Sequence, residues 1–141
     1  MTNEIKVDGA CYCGKVTIDG SVSADKVMAC HCTDCQKFSG APFRAVAVMS
    51  ADNVTIAGPV QEYLKVADSG NERVQGFCGN CGSQIFAADP QKTLFMVRTG
   101  CLSQHDQLVP ARGVHRPGLS AQAVRGPSRA AYKTAAQEGL S

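Results

Sequence analysis

Cys78-Gly79-Asn80-Cys81-Gly82 places two cysteines three positions apart, each followed by a glycine. Two thiolates at this spacing reach one ion, and the glycines let the backbone turn round it while N–H groups point at the sulfurs. The same C-x-x-C spacing serves redox dithiols, but those sit in a βαβ context, and the residues flanking this pair read as strands. A metal knuckle of this kind needs two further ligands. Cys11-Tyr12-Cys13-Gly14 is a matched pair near the N-terminus. The expected arrangement is a closed four-thiolate site of Cys11, Cys13, Cys78 and Cys81, tying the start of the chain to its middle. Zinc is the ion such a site suits, and a site of this kind contributes directly to folding.

A third group, Cys30-His31-Cys32-Thr33-Asp34-Cys35, stands apart. Three thiolates can cap one ion and leave a coordination position open, the mark of a catalytic zinc. The competing arrangement is a second closed site completed by His31 or by Cys101, and spacing alone leaves both open. In an extended segment His31 should point away from its neighbours Cys30 and Cys32. Cys101 lies in an apolar stretch and reads as a small buried hydrophobe rather than a ligand. Asp34 could orient a ligand or take a proton, against the plainer role of a solvated loop carboxylate. Lys37 and Arg44 could meet an anionic substrate or be surface charges. Phe43 and Phe77 could wall a pocket but read first as core. His105 and His115 read as surface histidines.

The rest of the composition sets the context. The chain has 141 residues, 44% of them hydrophobic and 18% charged. That is a globular composition, sufficient for one domain with a real core. No apolar run is long enough to cross a membrane, and the N-terminal MTNEIKVDGA lacks the apolar centre of a secretion signal. The expected location is the cytoplasm, where eight cysteines serve as ligands or catalysts rather than disulfides. Charge is uneven: residues 1–110 carry nine Lys/Arg against eleven Asp/Glu, and residues 111–141 carry five against one. The basic residues Arg112, Arg116, Arg125, Arg129 and Lys133 are loosely spaced with no aromatic interleaving, which favours a solvated tail over a nucleic-acid surface.

Short alternating segments dominate. Lys15–Asp19, Phe43–Met49, Val54–Ile56, Tyr63–Val66, Arg73–Phe77, Gln84–Ala87 and Thr93–Val97 are strand candidates, separated by Gly, Pro and Asn punctuation. Thr33–Phe38 has room for a helical turn or two. Residues 111–127, rich in Gly, Arg and Pro, read as irregular, and a short terminal helix is expected from Ser128 to Gly139. The division is a zinc-binding core over residues 1–110 and a basic C-terminal segment over 111–141.

In order, Cys11 to Val16 (C-x-C-G-x-V), Cys30 to Lys37 with Ser39 to Phe43 (C-H-C-x-x-C-x-K, S-G-A-P-F) and Phe77 to Ser83 (F-C-G-x-C-G-S) resemble the glutathione-dependent formaldehyde-activating enzyme family, which shares its domain with centromere protein V. The resemblance covers about residues 9–106. It implies a mainly β, Mss4-like (β-tent) domain of short antiparallel strands stapled by zinc. It implies a structural zinc on Cys11, Cys13, Cys78 and Cys81, and a second, catalytic and labile zinc on Cys30, Cys32 and Cys35. The family's named reaction is the reversible addition of glutathione to formaldehyde, a carbon–sulfur lyase activity that gives S-hydroxymethylglutathione. Zinc chemistry suits it, because the ion can lower the pKa of a thiol or polarise a carbonyl oxygen. The expected partner is then a small molecule such as a glutathione adduct, or another small carbonyl or imine compound, and no membrane. The chain departs from the family pattern at its end. It has no tryptophan, and Ala123-Val124 follows Ser120-Ala121-Gln122 where a Pro-Trp pair is expected. The competing functional reading is a non-enzymatic zinc module that contacts a protein or nucleic acid through the basic tail.

Overall fold

The computed structural model describes residues 4–67 and 69–110, and residues 112–114 as backbone. The alternating segments become strands: β1 Glu4–Ala10, β2 Thr17–Ser23, β3 Val27–Cys30, β4 Arg44–Ser50, β5 Val54–Ala57, β6 Val60–Val66, β7 Glu72–Cys78, β8 Gln84–Ala88, β9 Leu94–Arg98 and β10 Arg112–Val114. One helix, α1, spans Thr33–Ser39. The architecture is mainly β. A three-stranded sheet has the order β1-β2-β5, and a seven-stranded sheet the order β10-β3-β4-β9-β8-β7-β6. All pairings are antiparallel except that of β10 with β3.

The core is the contact between the two sheets. Val7, Val16, Ile18 and Val22 on the smaller sheet side meet Val27, Ala47, Met49, Val74, Phe86, Ala88 and Val97 of the larger sheet in one buried cluster. Period-two alternation explains the set, since alternate residues of a strand share one face. Gly76 sits in this layer directly opposite Phe86. The Phe86 ring fills the space a side chain at 76 would need, 2.3 Å from an added Cβ. The glycine of β7 is therefore a seat for an aromatic ring rather than a weak point.

The structure departs from the sequence expectations at several points. The strand expected from Lys15 begins at Thr17, because Cys11 to Val16 is closed into a loop by the bond from Cys11 N–H to Val16 O, 3.0 Å. Tyr63–Val66 is the latter half of a longer strand. β1 and β3 have no counterpart among the expected segments: Gly9 breaks the apolar alternation of β1 without breaking the strand, and β3 is only four residues long. Arg112–Val114 falls in the stretch expected to be irregular, yet it pairs with β3 and forms one edge of the larger sheet. His115 and the helix expected from Ser128 lie outside the described residues. No helix among the described residues is long and apolar enough to cross a membrane.

The other face of the large sheet positions the chemistry. Cys30 lies opposite Arg44, Val46 lies opposite Arg98, and Gln75 lies opposite Ala87. Arg44 and Val46 are two apart on one strand, so Cys30, Arg44 and Arg98 share this face on three adjacent strands. Helix α1 follows β3 directly. It is tied to this side of the sheet by the Lys65–Asp34 ion pair, 2.6 Å, and by the Phe38–Tyr63 ring contact, 6.4 Å.

Candidate metal centres

Two cysteine groups could hold metal ions, and they are the two that spacing picks out. Cys11, Cys13, Cys78 and Cys81 have all their sulfurs within 4.8 Å of one another, and so do Cys30, Cys32 and Cys35. Four thiolates at Zn–S distances of about 2.3 Å in a tetrahedron stand about 3.8 Å apart. The Cys11–Cys13 and Cys13–Cys78 sulfurs are 3.5 and 3.8 Å apart. Four soft sulfur donors at such separations fit zinc.

The four-sulfur group is made by two turns that close alike. Cys11 N–H bonds to Val16 O at 3.0 Å, and Cys78 N–H bonds to Ser83 O at 2.9 Å. The glycine after the second cysteine has positive φ in both, 83° at Gly14 and 81° at Gly82, a conformation glycine adopts without strain. Backbone N–H groups then point at the sulfurs: Val16 at Cys11, 3.3 Å, and Asn80 and Cys81 at Cys78, 3.3 and 3.4 Å. Ser83 couples the turns. Its Oγ accepts the Tyr12 N–H at 3.1 Å and lies 3.2 Å from the Cys81 sulfur. The Ser83 hydroxyl and N–H hold the Cys81 thiol down at about 5.

The three-sulfur group is built at a strand-to-helix junction. Cys30 ends β3, and Cys32 is the N-cap of α1, its sulfur accepting the Cys35 N–H at 3.3 Å. That bond satisfies one of the free N–H groups of the first turn. Gly40, in the left-handed conformation, ends the helix. The sulfurs compete for protons: hydrogen bonding with Cys32 drives the Cys30 thiol strongly upward, while Cys30 and then Cys35 hold Cys32 well below the ordinary thiol range. Three thiolates this close ionise together only if a cation joins them, so this donor set also fits a metal ion.

The surroundings of the two groups differ in charge. Arg44, buried, donates from Nη2 to Cys35 Sγ at 3.2 Å and from Nη1 to Gln75 Oε1 at 2.9 Å. Its guanidinium lies over the Phe38 ring, 5.7 Å from the centroid. Arg98 lies on the same face. Burial and then the neighbouring Arg44 charge lower its pKa.

The remaining sequence candidates fall as follows. Buried His31 stacks near Phe43, ring centroids 5.5 Å apart, and joins neither sulfur group. Cys101 is half-buried, donates to Gln84 O at 3.3 Å and also joins neither group. Burial raises its thiol pKa. Asp34 is paired with Lys65 rather than solvated alone. Lys37 is exposed, and Phe77 is half-buried. His105 is exposed beside Asp106. Gln75, Ser83 and Arg98 were not singled out by the sequence. Ser83 stands two positions after Cys81, which is a usable signal for a supporting residue; Gln75 and Arg98 come to this region only through the folding of the sheet.

Fold and site together define a class: a mainly β, antiparallel domain with two cysteine clusters that could hold metal ions. The model of the glutathione-dependent formaldehyde-activating enzyme family matches residues 6–116. The chain belongs to that family. Among solved structures, the crystal structure of a Rhodobacter sphaeroides protein is similar at a TM-score of 0.58 and 17% identity, covering 76% of this chain and 99% of the other. At that identity the likeness is one of fold.

Proposed function

We propose that the chain is a zinc-dependent enzyme of carbon–sulfur lyase type, acting at Cys30, Cys32 and Cys35 on S-hydroxymethyl adducts of a thiol or on a related small carbonyl or imine compound. The observation that carries the reading is the three-sulfur group itself. Its sulfurs converge, and no fourth protein ligand joins them among the described residues, which suits an ion with a position left for substrate. Zinc at this place would supply Lewis acidity, lowering the pKa of a substrate thiol or polarising a carbonyl oxygen. In the direction of addition, the thiol sulfur forms a bond to the carbonyl carbon, the C=O π pair moves to oxygen, and the thiol proton ends on that oxygen. Arg44 holds Cys35 in place, and the cap bond on Cys32 fixes the second sulfur, so the donor set is preorganised. Cys11, Cys13, Cys78 and Cys81 hold a second zinc with a structural role. The family membership supports the reaction class, and thiolate ligands suit a reducing compartment, the cytoplasm.

The test is a turnover screen of zinc-loaded protein with formaldehyde and thiols, followed by imines, alongside metal stoichiometry. Two zinc ions per chain and saturable adduct formation, lost in Cys32→Ser with the fold intact, are expected. One tightly held zinc and no exchangeable second ion would sink the reading. The basic tail motivates the alternative, a non-enzymatic module that binds an acidic partner. Because β10 belongs to the sheet, that reading is tested by removing residues 115–141: salt-sensitive binding should disappear.

A further inference from the structure

The face that carries the three-sulfur group also carries one cation too many. A divalent ion with three thiolates has a net charge of −1. Arg44, bonded to Cys35 Sγ, brings the count to zero. Arg98 then adds a charge that no ion pair among the described residues cancels. The ion pairs among the described residues are Lys65–Asp34, Lys92–Glu62 and His105–Asp106, and none involves either arginine. Arg98 is half-buried, and its Nε is fully enclosed without a hydrogen-bond partner. A guanidinium carries five donors in a rigid fork that matches a carboxylate. To leave such a group half-buried, unpaired and beside a second guanidinium costs stability. Groups kept against that cost cluster where ligands bind.

Register places the two arginines for different tasks. Arg44, opposite Cys30, is committed to Cys35, Gln75 and the Phe38 ring. Arg98, opposite Val46, lies one strand further out on the same face. A ligand whose sulfur or carbonyl sits at the open position of the three-sulfur group would have its far end within reach of Arg98. Two strand spacings, about 9.6 Å in all, separate the backbones that carry Cys30 and Arg98; a short thiol acid covers roughly half of that span, and the long arginine side chain covers the rest.

We propose that Arg98 is the receiving group for a carboxylate on the substrate, so that the site selects thiols or adducts that carry an acid a few bonds from the reacting sulfur. The proposal rests on the reading of Cys30, Cys32 and Cys35 as a metal site with an open position. Arg44 is by contrast a positioning residue for Cys35.

The experiment compares 3-mercaptopropionate with 2-mercaptoethanol, two thiols of similar length that differ in the acid. Binding to the zinc-loaded full-length chain is measured by calorimetry, with zinc content and thermal unfolding recorded for each variant. The wild type should bind the acid about tenfold or more tightly than the alcohol. Arg98→Met should erase that preference while leaving 2-mercaptoethanol affinity, zinc content and Tm intact or Tm raised; Arg98→Lys should retain part of it. Equal affinities in the wild type, or no detectable binding of the acid, would overturn the proposal. So would a preference that survives in Arg98→Met, because the carboxylate would then be going to the ion. Loss of zinc or a lowered Tm in Arg98→Met would assign Arg98 to the metal site or the fold instead. Failure of the enzymatic reading is separable: absence of turnover with a retained acid preference leaves this binding site standing.

Discussion

The two cysteine groups offer the same donor atom and are embedded in opposite ways. Around Cys11, Cys13, Cys78 and Cys81 the hydrogen bonds to sulfur come from backbone N–H groups and from the Ser83 hydroxyl. Around Cys30, Cys32 and Cys35 the backbone N–H groups, that of Cys35 at Cys32 among them, are joined by a buried guanidinium at Cys35. The first set of donors consists of neutral dipoles contributed by the same turns that carry the ligands, so ligand placement and charge compensation form together when the chain folds. The second depends on Arg44, from a neighbouring strand, and so on the sheet being already assembled. A site made of its own turns suits a permanent ion; a site completed by side-chain charges suits one whose net charge can meet a substrate.

The contrast is broken most severely at Cys78. Its sulfur is buried and takes two N–H bonds, and its turn joins β7 to β8. Zinc in a closed thiolate site contributes free energy on the order of 10 kcal/mol, comparable to the whole stability of a domain this size. Cys78→Ser should therefore abolish the cooperative thermal transition and the dispersed amide spectrum. A variant that still melts cooperatively within a few degrees of the wild type would show that the four-sulfur group is not a structural staple.

Cys30→Ser tests the other side. Cys30 ends a short strand and is only half-buried, and the core cluster between the sheets does not include it. The fold should persist with a Tm lowered by a few degrees, the zinc content should fall from two ions per chain to one, and turnover should vanish. If Cys30→Ser unfolds the chain as completely as Cys78→Ser, the distinction between the two groups is lost.

The difference between the groups was legible in the sequence only as far as it is local. Cysteine spacing and the glycines after Cys13 and Cys81 are properties of one turn, so they announce both cysteine groups that could hold metal ions and the turns that carry the first. Strand alternation announced β4, β5, β7, β8 and β9 for the same reason. Arg98 was not legible, because its nearness to Cys30 arises from two successive strand pairings, β3 with β4 and β4 with β9, that no short window contains. Arg44 was legible as a cation near the loop, but its burial was not, since the Gln75 and Phe38 that enclose it come from different elements. β10 escaped notice because a three-residue edge strand with a central glycine has no pattern of its own.

The smallest expected effect sharpens the comparison through pH. The Cys81 thiol is held at about 5, against an ordinary 9.0, first by the Ser83 hydroxyl. A depressed folded-state pKa stabilises the fold above the unfolded value, and that contribution is lost as pH falls through the folded value. For Cys81 the window runs from near 9 down to about 5. Ser83→Ala removes the hydroxyl but keeps the N–H, so the thiol pKa should rise and protons should displace metal from the four-sulfur group at a pH higher by about one unit. The three-sulfur group, which makes no contact with Ser83 among the described residues, should release its ion at an unchanged pH. Acid titration of zinc-loaded wild type and Ser83→Ala, with a chromophoric chelator reporting release, separates the two steps. A shift in both steps would mean that the groups are coupled; a shift in neither would mean that the Tyr12 and Cys81 contacts of Ser83 act on geometry alone and leave the thiolate charge to the backbone.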